Sequence, residues 1–170
     1  MTTQELVKTR SAIVSPDEVY RTGLYRELNV EGTGALLWVM LNPSTADAKE
    51  DDPTIRRICN FTRDHKARHC YVVNLYDFRA TDPALLLKAV TAGIGNSKAN
   101  DFHLSMMGSL YGVAVCAWGK NAPESRAREV SMELMRLGVK LFCLGTNLDG
   151  SPVHPLYVPG DRRIHPWSPK

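Results

Sequence analysis

Four nearly unbroken apolar runs constrain the fold of this 170-residue chain more than any other feature of its sequence. They are ALLWVML (35–41), CYVVNLY (70–76), VAVCAW (113–118) and KLFCLG (140–145). A strand with one buried face alternates apolar and polar residues, whereas a strand buried on both faces is apolar throughout. The runs therefore predict four strands of a sheet that is covered on both sides.

Helical patterns separate the apolar runs. They span about 53–67, 83–90, 97–109 and 125–137. Asp52-Pro53 and Asp82-Pro83 are typical helix starts, because the carboxylate caps the helix and proline loses nothing at the first helical position. Strand alternating with helix predicts an α/β protein, a three-layer α/β/α sandwich with a mainly parallel four-stranded central sheet.

The N-terminal segment predicts a short antiparallel hairpin. Residues 11–28, SAIVSPDEVYRTGLYREL, alternate apolar and polar residues on either side of the turn signal Ser15-Pro16-Asp17. No repeat, low-complexity tract or long polar linker interrupts the chain. We therefore expect residues 1–170 to form a single α/β domain.

Composition limits the functional classes only weakly. A net charge of +3 and a pI near 8.7 tolerate a polyanionic partner but do not predict nucleic-acid binding by themselves. The first ten residues lack the apolar segment of a signal peptide, and no stretch approaches the roughly 18 apolar residues of a membrane span. A cytoplasmic protein without membrane association is the prediction.

The cysteines predict reduced thiols packed in the core. None has C-x-x-C spacing, and three lie within or beside apolar runs. They are Cys59, Cys70, Cys116 and Cys143. We expect neither a zinc site nor a disulfide framework.

Polar residues at the strand ends indicate where a ligand binds, since open parallel sheets bind ligands beyond the carboxyl ends of their strands. Asn42, Asn74 and Asn121 lie within or just beyond three of the runs, and His154 lies between two prolines after the fourth. An asparagine amide offers a donor and an acceptor, which suits the edge of a nucleobase. A neutral histidine can donate to a developing anion or act as acid or base.

Further residues near these strand ends are candidate substrate-binding groups. Tyr76 and Phe78 could stack on a base, a contact worth about 1–3 kcal/mol. The other candidates are Pro43, Ser44, Arg79, Trp118 and Pro155. Structural roles compete with these functions: Asn42 could set a turn, Asn74 could be an amide bonded to neighbouring backbone, and Trp118 could be core.

Several motifs together resemble one uncharacterised family. LNPSTAD, DDPTIRR, VVNLYDFRATDP, AWG, CLG and HPLY follow one another between about Tyr20 and Tyr157. This succession resembles the signature of a bacterial and phage family, domain of unknown function 1643. The resemblance implies family membership and leaves the activity open.

A more distant resemblance is to the uracil-DNA glycosylase superfamily. Met40-Leu41-Asn42-Pro43 is similar to its G-x-N-P or G-x-D-P motif, with Met40 in place of the glycine. Asn74 is placed like the base-reading asparagine, Trp118-Gly119 like a W-G motif, and His154-Pro155 like the start of the last loop. This resemblance implies a uracil-DNA-glycosylase-like fold.

The same resemblance implies roles for individual residues. Asn42 would position the water that attacks the sugar, and Asn74 would bind the base edge. Tyr76 or Phe78 would stack on the base, while His154 would stabilise charge on the departing base. The implied protein recognises a nucleobase and hydrolyses its N-glycosidic bond, with Asn42 and His154 catalytic and no cofactor.

Two other functional classes remain open. One is a non-catalytic module that binds a nucleotide, a modified base or a partner protein at the same place. The other is a Mg²⁺-dependent nucleotide-processing enzyme, with the metal held by Asp47, Glu50, Asp51 and Asp52. Those carboxylates could equally be a solvated loop and a helix cap.

A basic stretch follows the first motif and makes DNA a candidate partner. Arg56, Arg57 and Arg63 lie on the helix predicted at 53–67. Phosphate contacts through these residues would make binding fall steeply with salt. A plain solvated helix face is the alternative. No oligomeric state is predicted.

Overall fold

A computed structural model describes residues 6–169, and seven strands within that range form one sheet. The strands are β1 Val7–Val14, β2 Arg21–Leu28, β3 Gly34–Met40, β4 Ala67–Asn74, β5 Val113–Cys116, β6 Lys140–Cys143 and β7 His165–Pro166. Their order across the sheet is β1-β2-β4-β3-β5-β6-β7.

The predicted mainly parallel, four-stranded sheet is wrong. The four apolar runs form β3 to β6, whose three pairings are parallel. Three antiparallel pairings join the other strands to the same sheet, β1 with β2, β2 with β4, and β6 with β7. The sheet is therefore mixed, and the uracil-DNA-glycosylase-like fold defined by that parallel sheet is not proposed further. The α/β class is retained.

The added strands have a physical reason. Without them, β4 and β6 would be edge strands with unpaired backbone N–H and C=O groups, which favour unwanted association. The N-terminal hairpin satisfies the edge of β4, and β7 covers part of the edge of β6. The hairpin is thus an integral part of the sheet, because β2 pairs with β4 over four residue positions.

The helices lie close to where the sequence predicts them. They are α1 Pro53–Asp64, α2 Pro83–Thr91, α3 Asn100–Tyr111 and α4 Glu124–Arg136, and a 3₁₀ helix spans Pro155–Tyr157. Both predicted caps are confirmed: Asp52 Oδ1 accepts the N–H of Ile55 at 2.8 Å, and Asp82 Oδ1 accepts the N–H of Ala84 at 2.8 Å. No helix within residues 6–169 is long and apolar enough to cross a membrane.

Hydrophobic cores cover both faces of the sheet, which explains the continuous apolar runs. Along β3, Trp38 belongs to a core shared with Ile58 of α1, whereas Leu37 and Val39 belong to another shared with Leu134 of α4. Successive strand residues point to opposite faces, so each apolar residue of β3 has a core to enter. All four cysteines are buried free thiols, as predicted.

One buried ion pair ties β2 to the loop that follows β3. The Arg26 side chain is fully buried, and its Nε lies 2.6 Å from Asp51 Oδ1. Its Nη2 also donates to the carbonyls of Asp47, at 2.5 Å, and Glu50, at 3.3 Å. We call residues 41–52 the β3–α1 loop. Arg26 therefore fixes the C-terminal half of this loop against β2.

Replacing Arg26 should strongly destabilise the protein. In Arg26→Met, the Asp51 carboxylate keeps one ion-pair partner among residues 6–169, Arg10, whose Nη2 is 3.5 Å away. Breaking a buried pair by removing one partner costs about 3–5 kcal/mol, so the free energy of unfolding in urea should fall by about that amount. Arg136→Gln, which removes an exposed arginine paired with Glu133, is the control and should leave it unchanged. Equal stability of both variants with the wild type would contradict this role.

Candidate ligand-binding site

A cavity of about 710 Å³ lies at the carboxyl ends of β3, β4 and β5. Its volume is within the range of about 300–1,000 Å³ typical of small-molecule sites. Met40 and Asn74 are paired in the register of β3 and β4, so these two strands end side by side. We call it the strand-end cavity. Five of the predicted site residues line it: Asn42, Ser44, Asn74, Trp118 and His154.

Asn74 is fully buried in the cavity wall and its side chain is unpaired. Neither Oδ1 nor Nδ2 has a hydrogen-bond partner among the described residues. The alternative, an amide bonded to neighbouring backbone, therefore does not describe this residue. A buried polar group without a partner costs about 1–3 kcal/mol. The fold thus leaves one donor and one acceptor unpaired in the cavity wall.

Trp118 places an unpaired donor in the same wall. Its side chain is 2% exposed, and its ring packs edge-on against Trp167, with ring centroids 5.5 Å apart. The indoles of Trp38 and Trp167 donate to Thr62 Oγ1 and the Gly150 carbonyl, both at 3.2 Å. Trp118 Nε1 has no acceptor among residues 6–169. The ring belongs to the core, as the structural alternative expected, while its N–H is left without a partner.

Asn42 is held in one orientation by backbone carbonyls. Its Nδ2 donates to the Pro43 carbonyl at 2.9 Å and the Ala80 carbonyl at 2.8 Å. Both amide hydrogens are therefore occupied. Oδ1 receives no hydrogen bond from the part of the chain that the structure describes. In the cavity, Asn42 can accordingly act as a fixed acceptor for a water molecule or a ligand hydroxyl.

His154 enters the cavity as a neutral donor. Its Nδ1 accepts the backbone N–H of Leu156 at 3.3 Å, capping the 3₁₀ helix. Burial lowers the pKa of His154 below its ordinary value of 6.5, against an opposing effect of the Asp52 carboxylate. Because Nδ1 is the acceptor, the proton of the neutral ring lies on Nε2. The imidazole can donate that hydrogen to a developing anion.

Gly119 allows the loop that carries His154 to approach the backbone that follows β5. Its backbone has φ +80°, and a Cβ there would lie 3.2 Å from the Cβ of His154. Its N–H donates to the Pro152 carbonyl at 3.0 Å. A side chain at this position would be strained and would displace the histidine.

The two predicted stacking residues do not line the strand-end cavity. Tyr76 is buried, and the guanidinium of Arg126 lies 5.6 Å from its ring centroid. Phe78 packs edge-on against Tyr20, with centroids 6.1 Å apart. An exposed ring that does line the cavity is that of Tyr157, whose centroid is 5.6 Å from that of His154.

Arg79, Pro43 and Pro155 support the cavity from outside its lining. Arg79 donates to the carbonyls of Ser44 and Glu18, at 3.4 and 3.2 Å. The Pro43 carbonyl accepts from Asn42, as described above, and Pro155 begins the 3₁₀ helix. These residues hold the loops in place, and none of the three lines the cavity.

The three helix arginines are engaged in intramolecular contacts. Arg57 donates to the carbonyls of Pro155 and Val158 and so ties the last loop to α1. Arg63 lies 2.7 Å from a carboxylate oxygen of Asp64, and Arg56 donates to the Asp51 carbonyl. None lines the strand-end cavity. A role in binding DNA stays a prediction for these residues.

Three of the four acidic residues of the β3–α1 loop are engaged in contacts within the chain, whereas the Glu50 side chain is exposed. Asp51 pairs with Arg26, and Asp52 caps α1. Asp47 Oδ1 accepts the N–H groups of Lys49 and Glu50, at 2.7 and 2.9 Å. Within residues 6–169, no three His, Cys, Asp or Glu side chains come together as metal ligands. Mg²⁺ is commonly held by one or two carboxylates together with water and substrate phosphates, so the Mg²⁺-dependent alternative stays a prediction.

Sequence reasoning misses Arg21, the buried cation of this cavity. Arg21 lies on β2, is 2% exposed and lines the cavity, where its Nη1 donates to the Ala46 carbonyl at 2.7 Å. Burial lowers the pKa of Arg21 to about 10, so it stays protonated at neutral pH. No local signal marks this residue, because its burial depends on the pairing of β2 with β4.

The fold and the cavity define an α/β protein with a polar pocket at the carboxyl edge of its parallel strands. The chain belongs to the family described as "Protein of unknown function (DUF1643)", whose model matches residues 21–156. The family prediction is thereby confirmed. No curated protein and no solved structure matches the chain. The resemblance to uracil-DNA glycosylases stays a prediction.

The lowered pKa of His154 predicts a pH-dependent stability. Below pH 6.5, His154 binds a proton more readily in the unfolded protein than in the folded one. As the pH decreases from 6.5, the contribution of His154 to stability therefore decreases, and it levels off below the folded-state pKa. Between about pH 8 and about pH 5, the wild type should lose more unfolding free energy than His154→Gln. His103, whose pKa burial also lowers, is present in both proteins and cancels. Parallel stability curves would contradict the assignment.

Proposed function

We propose that the strand-end cavity binds a nucleobase and that the protein hydrolyses the N-glycosidic bond of the bound unit. The observation that carries this proposal is the fully buried Asn74 amide with neither polar atom paired. The amide donor and acceptor are bonded to the same carbon, and adjacent donors and acceptors of this kind match the hydrogen-bonding edge of a heterocycle.

Base recognition rests on Asn74 together with Trp118. The amide supplies one donor and one acceptor, and the indole supplies a second donor. A ligand lacking the complementary groups leaves these buried atoms unpaired, at about 1–3 kcal/mol each. Sites of this kind reject such analogues strongly. The ring of Tyr157, 84% exposed at the cavity, is available to stack on a base or sugar.

Hydrolysis uses Asn42 and His154. Asn42 Oδ1 accepts a hydrogen bond from a water molecule and directs its oxygen at C1′ of the sugar. The C1′–N bond breaks through an oxocarbenium-like transition state, and its electron pair goes to the base nitrogen. His154 Nε2–H stabilises the resulting anion by a hydrogen bond. The water oxygen forms the new C1′–O bond, and the proton that the water loses ends on the released base.

Asn42→Ala should separate chemistry from binding. Without the fixed acceptor, release of free base, followed by mass spectrometry, should fall by about 10²–10⁴-fold, while base affinity is retained. The substrates are nucleosides, nucleotides and DNA carrying uracil, hypoxanthine or modified pyrimidines, with chelator present. Asn60→Ala, an asparagine of α1 outside the cavity lining, is the control and should release base like the wild type.

Asn74→Leu should abolish base binding without harming the fold. Leucine matches the shape of asparagine and removes two unpaired polar atoms, so stability should be unchanged or increased. Equilibrium dialysis with free bases should show no binding. Base binding by the wild type without base release would reduce the function to a binding module. Base release unaffected by either cavity variant would contradict the proposed site.

A further inference from the structure

The two buried arginines of β2 differ in how their charge is compensated. Arg26 has a carboxylate oxygen of Asp51 at 2.6 Å and four backbone carbonyls within 3.3 Å. Arg21 is buried to nearly the same extent, yet no carboxylate within residues 6–169 lies within ion-pair distance of its guanidinium. Its Nε also has no acceptor among those residues. The carboxylates of Asp52 and Asp47 favour its charged form from beyond ion-pair distance. Buried charges in proteins are normally paired directly, so this cation is an exception to explain.

The surroundings of Arg21 suit an anion. Two permanent cations, Arg21 and the exposed Lys120, line the cavity against one carboxylate, Asp52, which caps α1. The lining also includes the first residue of α1, Pro53, and helix N-termini favour negative charge. Hydroxyl groups, which commonly bind phosphate oxygens, also line the cavity. They belong to Ser44, Thr45, Thr54 and Thr81.

We propose that Arg21 binds the terminal phosphate of a nucleoside monophosphate whose base occupies the Asn74 and Trp118 part of the strand-end cavity. This inference rests on the proposed function and names its substrate class. A charge-assisted hydrogen bond from the guanidinium to a phosphate oxygen neutralises the buried cation. The cavity, at about 710 Å³, is within the size range of sites for ligands of this kind.

The burial of Arg21 favours a mononucleotide over a nucleic-acid strand. The side chain is 2% exposed, so a phosphate must enter the cavity to reach it. A terminal phosphate does so freely, whereas a phosphodiester within a strand carries a nucleotide on either side. The helix arginines Arg56, Arg57 and Arg63 do not line the cavity.

Isothermal titration calorimetry with matched ligands tests the proposal. The ligands are nucleosides, their 5′-monophosphates, inorganic phosphate and a short single-stranded oligonucleotide of the same bases. For the preferred base, the monophosphate should bind the wild type at least about tenfold more tightly than the nucleoside, which is about 1.4 kcal/mol. Arg21→Gln should remove this difference, which is the ratio of two affinities measured on the same variant, so that a general change of the cavity cancels. Arg136→Gln removes an exposed charge of α4 and should preserve the difference.

Each outcome separates the phosphate site from the proposed function. Equal affinity of the wild type for nucleoside and monophosphate overturns the phosphate site while base recognition stands. Binding of inorganic phosphate that is lost in Arg21→Gln, without any nucleoside binding, supports the anion site and overturns the proposed function. Tighter binding of the oligonucleotide than of the monophosphate overturns the mononucleotide assignment, and no binding of any ligand overturns both. If Arg21→Gln does not fold, the wild-type comparison of nucleoside with monophosphate decides.

Discussion

The strand-end cavity depends on the two arginines of β2. Arg26 holds the backbone of Asp47 and Glu50 and pairs with Asp51, while Arg21 holds the Ala46 carbonyl. Together they fix residues 46–51 of the β3–α1 loop, and the capping carboxylate Asp52 follows directly. This loop separates Asn42 from the start of α1, so its position sets the width of the cavity. The antiparallel strand β2 therefore positions a loop of a site that the sequence predicts from the parallel strands alone.

Local patterns predict much of the secondary structure and part of the site. The apolar runs locate β3 to β6, and Asp-Pro pairs locate the starts of α1 and α2. The rule that ligands bind beyond the strand ends predicts that Asn42, Asn74 and His154 lie together, and all three line one cavity. These inferences succeed because they depend on short-range periodicity, on capping and on a general rule for parallel sheets.

The sequence does not predict features that depend on long-range strand pairing or on the direction of the chain after a strand ends. Nothing within residues 11–28 specifies that β2 pairs with β4, so both the sheet topology and the burial of Arg21 escape prediction. Tyr76 lies two residues beyond the last residue of β4, where strand alternation no longer fixes which way a side chain points. It enters the core, and Tyr157 from a distant loop supplies the ring at the cavity.

In the proposed function, the unpaired buried polar atoms of the cavity bind a base. Of the six buried side-chain polar atoms that have no partner within residues 6–169, four belong to Arg21, Asn74 and Trp118. NMR spectra of the three tryptophan indole N–H groups test this directly during titration with free nucleobases. If a base binds, the Trp118 signal should shift, because its N–H gains an acceptor, while Trp38, already bonded to Thr62, stays unchanged. An unchanged Trp118 signal with every base would contradict the proposed function.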